Sequence, residues 1–338
     1  CPFIECSRHP QIELVPYAEV EAVEGEAGDF QVSILHKPRY VDVDLCNSCG
    51  ECAAVCPVEV PRELGAGLET RRAIYRPYPQ AFPSAFVVDR DACTRCGECV
   101  KVCPRGAIDL EMPERRSSLN VGAVILTPGF EPFDATLKTE FGYGVHENVL
   151  TSIQFERMLS LTSPSLGLPT RPSDDQAPRR IAFIQCVGSR DISCDRGYCS
   201  SICCMYATKQ AMLARERLPD AEVTIFHMDV RTFGKGFERY YERAKEEYGI
   251  NYRRSMVSRV RELRETKNLT LACVDDAGRP EEPEFDLVVL SVGFGPPLGA
   301  AVLAERLGIS LNGHGFSATE PFAPHQTCLL YTSDAADE

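Results

Sequence analysis

Cysteine spacing is where chemistry first shows in this chain. Cys46, Cys49, Cys52 and Cys56, followed by Pro57, form a C-x2-C-x2-C-x3-C-P run, and Cys93, Cys96, Cys99 and Cys103, followed by Pro104, form another. Thiolates at this spacing suit a cubane 4Fe-4S cluster, because a short turn wraps three sulfurs round one corner while the fourth comes from farther along the chain. In the two-cluster arrangement the fourth cysteine of each run crosses to the other cluster. The pattern therefore assigns Cys46, Cys49, Cys52 and Cys103 to one cluster, and Cys93, Cys96, Cys99 and Cys56 to the second. Zinc sites use two C-x2-C pairs or mixed Cys/His ligands, and disulfide frameworks belong to exported chains with a signal peptide. Gly50 and Gly97, each just after the second cysteine of its run, suit tight turns with backbone N–H groups facing the sulfurs.

A second group follows at Cys186, Cys194, Cys199, Cys203 and Cys204. The stretch Ser200–Leu218 reads as a helix, which would put Cys199 and Cys203 on one face of its first turns with Cys204 beside them. Cys186 on the preceding turn could complete four sulfurs around one centre, and the helix N-terminus would help to hold anionic thiolates. On the residues alone this set is read either as a third metal cluster or as buried or redox-active cysteines. Cys194, in a polar loop, reads as a spare thiol, and Cys273, on an apolar strand, as core.

The elements that must position these residues come from a chain of 338 residues, long enough for two or three domains. A formal charge of −13 argues against nucleic acid as a partner and is the ordinary charge of a soluble surface. No apolar run reaches the roughly 18 residues of a membrane span, and the longest, such as Val121–Leu126 and Leu287–Leu290, are strand-sized. Seventeen cysteines in such a chain point to metal and redox chemistry inside the cell. The chain begins at Cys1 without a methionine and reads as a fragment. Residues 328–338 read as a translated sequencing adapter, which would make Cys328 non-native.

Residues 11–35 alternate like a small antiparallel sheet, with strands at Ile12–Val15, Glu19–Val23 and Phe30–Ile34. The segment from Pro57 to Ala92 exceeds what a minimal ferredoxin needs and reads equally as a partner-facing loop or a connector. Asn120–Leu126 reads as a fully buried strand ending in Thr127-Pro-Gly-Phe130. A second copy of this grammar runs through Ile250-Asn-Tyr252, Met256–Val260 and Leu269–Val274 to Phe285–Ser291. Gly-Phe-Glu-Pro at 129–132 and Gly-Phe-Gly-Pro at 293–296 close the two copies, which suggests two dinucleotide-binding-type domains. Residues 133–178 read as a wrapping loop with one short helix near Ile153–Ser160. At Arg179–Gln185 a buried strand opens the second domain. A nicotinamide-binding domain would continue with G-x-G-x-x-G, but the turn here is Cys186-Val-Gly-Ser189, so the nucleotide site reads as lost. Val223–Phe226 reads as the next strand, Asp229 as an ordinary loop carboxylate, and Phe237–Tyr248 as a solvated helix.

Taken together, Arg39-Tyr-Val-Asp42, Phe183-Ile-Gln-Cys-Val-Gly-Ser-Arg190, Tyr198-Cys-Ser-Ser-Ile-Cys-Cys-Met-Tyr-Ala207, Phe233-Gly-Lys-Gly236 and Asp286–Gly293 resemble the iron-sulfur flavoprotein component of heterodisulfide reductase, its A subunit. The C-x12-C-x3-C-C arrangement is the most specific of these. The resemblance implies an α/β fold like thioredoxin reductase, with two dinucleotide domains and an inserted α+β ferredoxin module for two 4Fe-4S clusters. It divides the chain into a flavin-domain remnant at 1–38, the module at 39–112, the flavin-domain return and wrapping loop at 113–178, a degenerate NAD-type domain at 179–292, and the start of a further return at 293–327. It implies that Cys186, Cys199, Cys203 and Cys204 bind a third cluster, and that Lys209 lies near the reactive flavin nitrogen. Thr127, Gly129 and Gly293 would contact FAD in the full-length protein, although the family often has Ala-Thr-Gly where this chain has Thr127-Pro-Gly129. Cys1 and Cys6 would end a further cluster motif. The implied role is that of a cytoplasmic, methanogenesis-related oxidoreductase subunit passing electrons between FAD and clusters, with bifurcation to ferredoxin and a disulfide acceptor. Its partners would be other subunits of such a complex, a hydrogenase or dehydrogenase donor, and ferredoxin. The alternatives are the flavoprotein component of a quinone-interacting oxidoreductase and a non-catalytic iron-sulfur relay.

Overall fold

The computed structural model describes residues 2–320, 322, 323, 326 and 327. Cys1, Cys328 and the rest of the 328–338 tail lie outside the described residues. Two compact units result: one holds the described residues of Cys1–Leu126, Val302–Ser310 and Thr319–Thr332, the other those of Thr127–Ala301 and Leu311–Ala318.

In the first unit a helix, α1 (Pro2–Arg8), precedes the hairpin of β1 (Ala18–Glu26) and β2 (Asp29–His36). Phe30, Val32 and Ile34 of β2 point inward, as alternation requires of a strand with one buried face. The cysteine-rich module comes next, with α2 (Glu51–Ala54), β3 (Glu59–Pro61) paired with β4 (Thr70–Arg72), β5 (Ile74–Tyr75) paired with β6 (Val87–Val88), and α3 (Glu98–Val102). A bridge between Val41 and Ile108 ties its two ends. Its core joins Val41, Ala107 and Ile108 to the buried Cys52 and Cys99 and to Ile74, Phe86 and Val88. These last three come from the long segment between the cysteine runs, which is therefore part of the core. Each such side chain, once buried, stabilises the fold by roughly 1.5–3 kcal/mol.

The chain then returns as β7 (Arg115–Val121), antiparallel to β2 from Phe30↔Val121 to His36↔Arg115. Two expectations are corrected here. Ile12–Val15 is not a strand, and the third strand of the meander is β7. Asn120–Leu126 is not a buried strand: β7 ends at Val121 and is exposed along its length, and Ile125 is 67% exposed. A buried parallel strand needs neighbours on both edges. Among the described residues β7 pairs only with β2, as the edge of the three-stranded antiparallel meander β1-β2-β7.

The second unit is built on a five-stranded parallel sheet. After β8 (Glu131–Pro132) come β9 (Val149–Thr151), α4 (Ser152–Leu159), β10 (Arg180–Val187), α5 (Cys203–Arg217), β11 (Glu222–His227), α6 (Phe237–Glu246) and β12 (Asn251–Arg254). An antiparallel group follows, β13 (Arg259–Glu262), β14 (Leu269–Val274), β15 (Pro280–Glu281) and β16 (Glu284–Phe285), then β17 (Leu287–Val292) and β18 (Phe294–Gly295); the next helix, α7 (Ala300–Leu307), belongs for the most part to the first unit. The parallel sheet runs β12-β11-β10-β17-β9.

Both faces of this sheet are buried, which explains the unbroken apolar runs. Ile181, Phe183, Val223, Ile225, Leu287 and Val289 pack under the helices, against Ala207, Ala211 and Ala214 of α5. Ala182, Ile184, Phe226, Val288 and Leu290 pack against Leu269, Leu271, Cys273 and Phe285 of the antiparallel group. Cys273 is core, as expected. The short helix in the wrapping segment is α4, opened by a capping box in which Thr151 and Gln154 satisfy each other's backbone N–H.

Three further corrections concern this unit. The wrapping segment also supplies a sheet strand, β9. Ile250-Asn-Tyr252 leads into parallel strand β12, because it follows a helix and returns beside β11. The two Gly-Phe-x-Pro segments pair with each other as β8 and β18, and Phe130 stacks on Phe294 at 3.7 Å. Among the described residues no helix is long and apolar enough to cross a membrane.

Candidate metal centres

Each cysteine run of the module is launched by an aspartate that spacing rules for metal ligands do not flag. Asp42 Oδ1 accepts the N–H groups of Asp44 (2.9 Å) and Leu45 (3.2 Å), and its carbonyl accepts that of Cys46 at 3.0 Å. Asp89 repeats this with Asp91, Ala92 and Cys93. The available signal was the Val-Asp pair standing at the same distance before each run. Next, Ser48 and Arg95, each two residues past the first cysteine, take left-handed backbone with φ of 58°. Gly50 (φ 92°) and Gly97 (φ 77°) are left-handed too and cap α2 and α3, whose first turns carry the buried Cys52 and Cys99. The turns aim N–H groups at sulfur: Arg95 N donates to Cys93 Sγ and Ala107 N to Cys103 Sγ, each at 3.4 Å.

The eight sulfur-bearing residues sort into two cavities. Cys46, Cys49, Cys52 and Cys103 line one, while Cys56, Cys93, Cys96 and Cys99 line the other. This is the crossed three-plus-one grouping expected from the spacing. The four cysteines of each set rim a void, an arrangement that fits a multi-iron core bonded to one thiolate at each corner. Burial pushes the Cys52 thiol up to about 12, with the neighbouring Cys46 and Cys49 adding to the rise, and burial likewise raises Cys93 and Cys99. Bound iron would reverse this, since a coordinating thiol is deprotonated outright.

The third cysteine set reuses the same local device in a different fold. Cys186 sits where the β10–β17 register slips between Ile184 and Val187, and its φ is 63°. Such a bulge re-aims a side chain out of the pleat. Helix α5 begins at Cys203, three residues later than the sequence suggests, so Cys199 lies in the turn before it. The reason is Ser201, whose left-handed φ of 63° cannot be helical. Ser201 stands two residues past Cys199, as Ser48 and Arg95 do past Cys46 and Cys93, and its N–H donates to Cys199 Sγ at 3.4 Å.

Cys203 is 5% exposed at the start of α5, where the helix N-terminus favours a thiolate. Burial pushes Cys203 up to about 12, with the charges of Cys186, Cys204 and Cys199 adding to the rise, and Cys186 up to about 11, with those of Cys204 and Cys199 adding, so the four are electrostatic neighbours. Arg190, paired with Asp229 at 2.5 Å, offers positive charge beside Cys186 and Cys199. Asp229 is thus engaged as an ion-pair partner. Tyr206 donates to the carbonyl of Val292 at 2.6 Å, and Cys203 Sγ lies 3.8 Å from that same oxygen. Cys194 stands apart in a short turn, its Sγ 3.8 Å from Asp191.

The residues expected near a flavin are more scattered. Lys209, on α5, is half exposed and bonds Glu156 of α4 at 2.6 Å. Thr127 and Gly129 are exposed, whereas Gly293 is buried. A Cβ on Gly293 would come within 2.6 Å of the Gly188 carbonyl and 2.8 Å of Ser189 Cβ and Ser200 Oγ, and one on Gly188 would overlap the Phe133 ring. The turn where a dinucleotide pyrophosphate would approach is therefore filled by the protein itself.

The 4Fe-4S dicluster domain family matches residues 41–108. The chain is 51% identical over 314 residues to the second form of the CoB–CoM heterodisulfide reductase iron-sulfur A subunit of Methanopyrus kandleri, and 48% identical over 314 residues to the corresponding iron-sulfur protein of Methanocaldococcus jannaschii. It is 42% identical over 316 residues to the A subunit of the H(2):CoB-CoM heterodisulfide,ferredoxin reductase of Methanothermobacter thermautotrophicus. Each match takes in 93% of this chain and 48% of the relative, so the chain spans about half the length of the curated relatives it matches. Among solved structures, LpdA of Mycobacterium tuberculosis is similar at a TM-score of 0.37 and 15% identity, over 68% of this chain and 41% of that one. A thioredoxin reductase of Gloeobacter violaceus is similar at a TM-score of 0.23 and 7% identity, over 46% and 40%.

Proposed function

We propose, from the premise that the chain belongs to the family of heterodisulfide reductase iron-sulfur A subunits, that it is the electron-transferring part of an oxidoreductase subunit, holding two 4Fe-4S clusters in its module and a third at Cys186, Cys199, Cys203 and Cys204. The observation that carries this is the sorting of the module's cysteines into two crossed cavities, with the left-handed turn and N–H···S contact recurring at Cys199. When bound, the clusters supply one-electron steps and a flavin the two-electron step that feeds them.

The protein's own part is to hold thiolates in fixed positions and to set their surroundings. Backbone N–H groups at the sulfurs and positive charge from Arg190 stabilise negative charge on the cluster, and the apolar walls keep water away, which together govern potential. Where a pyridine nucleotide would sit in the second unit, Phe133 and Gly293 close the turn, so electrons there pass by way of sulfur. In the full-length protein we assign Lys209 to the flavin as an electrostatic partner and Thr127, Gly129 and Gly293 to its surroundings. We further propose that the flavin divides electron pairs between ferredoxin and a disulfide acceptor held by another protein of the complex. The names of the relatives, which join a heterodisulfide with ferredoxin and hydrogen, support that reading. A hydrogenase or dehydrogenase would supply the electrons.

The test is iron and acid-labile sulfide per chain after reconstitution without oxygen. About twelve irons are expected, falling to about eight in Cys203→Ala. About eight in both would remove the third cluster and leave an iron-sulfur relay.

A further inference from the structure

One cavity of the described residues belongs to neither cysteine group. It is a cleft of about 500 Å³ in the first unit, formed by the segment between the two cysteine runs. That volume suits a small organic ligand. In a chain of formal charge −13, its lining holds Arg62, Arg71, Arg72 and Arg76 against a single carboxylate, Glu59. Arg71 is structural: it is 6% exposed, bonds Glu63 and Asp89, and stacks on Tyr75 at 3.7 Å. Arg72 pairs with Glu59 at 3.3 Å.

The other two arginines keep donors to spare. Arg62 Nε is buried without a hydrogen-bond partner, its carboxylate neighbour Glu69 standing 3.7 Å away. A buried donor left unmet costs about 1–3 kcal/mol, which a bound anion would relieve. Arg76 reaches only Ser84 Oγ, at 3.5 Å, and among the described residues pairs with no carboxylate. Guanidinium groups bind phosphate and carboxylate through paired N–H donors, and the rings of Tyr75, Tyr78 and Phe86 offer a flat apolar wall beside them.

The geometry points to a binding site for a mononucleotide-sized organic anion, its phosphate held by Arg62 and Arg76 and its planar ring by the aromatic wall. Phe86 also lines the first cysteine cavity and Ile74 the second, so a ligand in the cleft lies one side chain from each module cluster. Negative charge placed there disfavours adding an electron to either cluster. The site thus lets a soluble anion tune the module's potentials.

The test uses ADP and inorganic pyrophosphate, titrated calorimetrically into the anaerobically reconstituted full chain. ADP should bind saturably at one site per chain and lower the midpoint potentials of the module clusters, with pyrophosphate binding more weakly. Arg76→Gln, on an exposed side of the cleft, should weaken ADP about tenfold with iron content unchanged. Arg62→Gln should do the same. Absence of saturable binding, or binding undiminished in Arg76→Gln, would overturn the site, and pyrophosphate binding as tight as ADP would overturn the role of the aromatic wall.

Discussion

At the scale of single residues, the thiols proposed as iron ligands are held in surroundings hostile to their charged form. Burial pushes Cys52 and Cys203 to about 12 and Cys186 to about 11, against an ordinary value of 9.0. Without iron these groups keep their protons through neutral pH, and iron must displace a proton from each to bind. Acid therefore opposes loading, and the raised values extend that opposition to higher pH. Cluster assembly should fall as pH drops below neutrality, as followed by iron content after reconstitution at stepped pH. In the iron-free chain at pH 8, Cys52 and Cys203 should be alkylated at least about tenfold more slowly than the exposed Cys49 and Cys96. Mass-spectrometric mapping reads the rates directly, and equal rates would mean that neither thiol is shielded. Cys52 was legible as a candidate ligand from spacing alone, whereas spacing left Cys186 and Cys203 open between a third cluster and buried or redox-active thiols. Asp42 and Asp89 were not legible, because their roles lie in hydrogen bonds to the turns that carry the cysteines.

At the scale of the element, the recurring unit is a turn of three residues followed by a helix. A left-handed residue two past the leading cysteine reverses the chain, and the helix that follows carries the next sulfur inward. Ser48, Arg95 and Ser201 hold this position with φ between 58° and 63°. A β-branched residue there is strained by roughly 1–2 kcal/mol, whereas glycine is not. Ser201→Val should lower the iron content by about one cluster's worth while leaving the module signals unchanged, and Ser201→Gly should retain full iron. Iron analysis alongside low-temperature EPR of the reduced protein separates these outcomes, and full loading in Ser201→Val would detach the third site from this turn. Helix propensity continues back to Ser200, which in sequence places Cys199 at the head of α5. Only the backbone shows that the helix waits for Cys203.

At the scale of the molecule, the module is an insertion between neighbouring strands. His36 of β2 and Arg115 of β7 are cross-strand partners, so the module leaves and re-enters the meander at one place. Such an insertion can be excised with little cost to either part, because its ends are already together. It also has its own core, in which Ile74, Phe86 and Val88 pack with Cys52 and Cys99. Residues 37–114 expressed alone should fold and take up about eight irons. A module that stays unfolded, judged by circular dichroism and iron content, would mean that its core depends on the meander.

The sequence by itself marked a 4Fe-4S dicluster module and the crossed grouping of its cysteines that the two cavities repeat, because ligand spacing is a local matter of a few turns. The central strands of the second unit, β10, β11 and β17, were legible too, since strands buried on both faces write themselves as unbroken apolar runs, whereas the edge strands β9 and β12 were not. Strand partnership was decided only by tertiary structure. Asn120–Leu126 has the composition of a buried strand and lies largely exposed, and the two Gly-Phe-x-Pro segments, alike as endings, prove to be each other's partners. Hydrogen bonding between strands depends on which edges meet in space, and no local pattern carries that information.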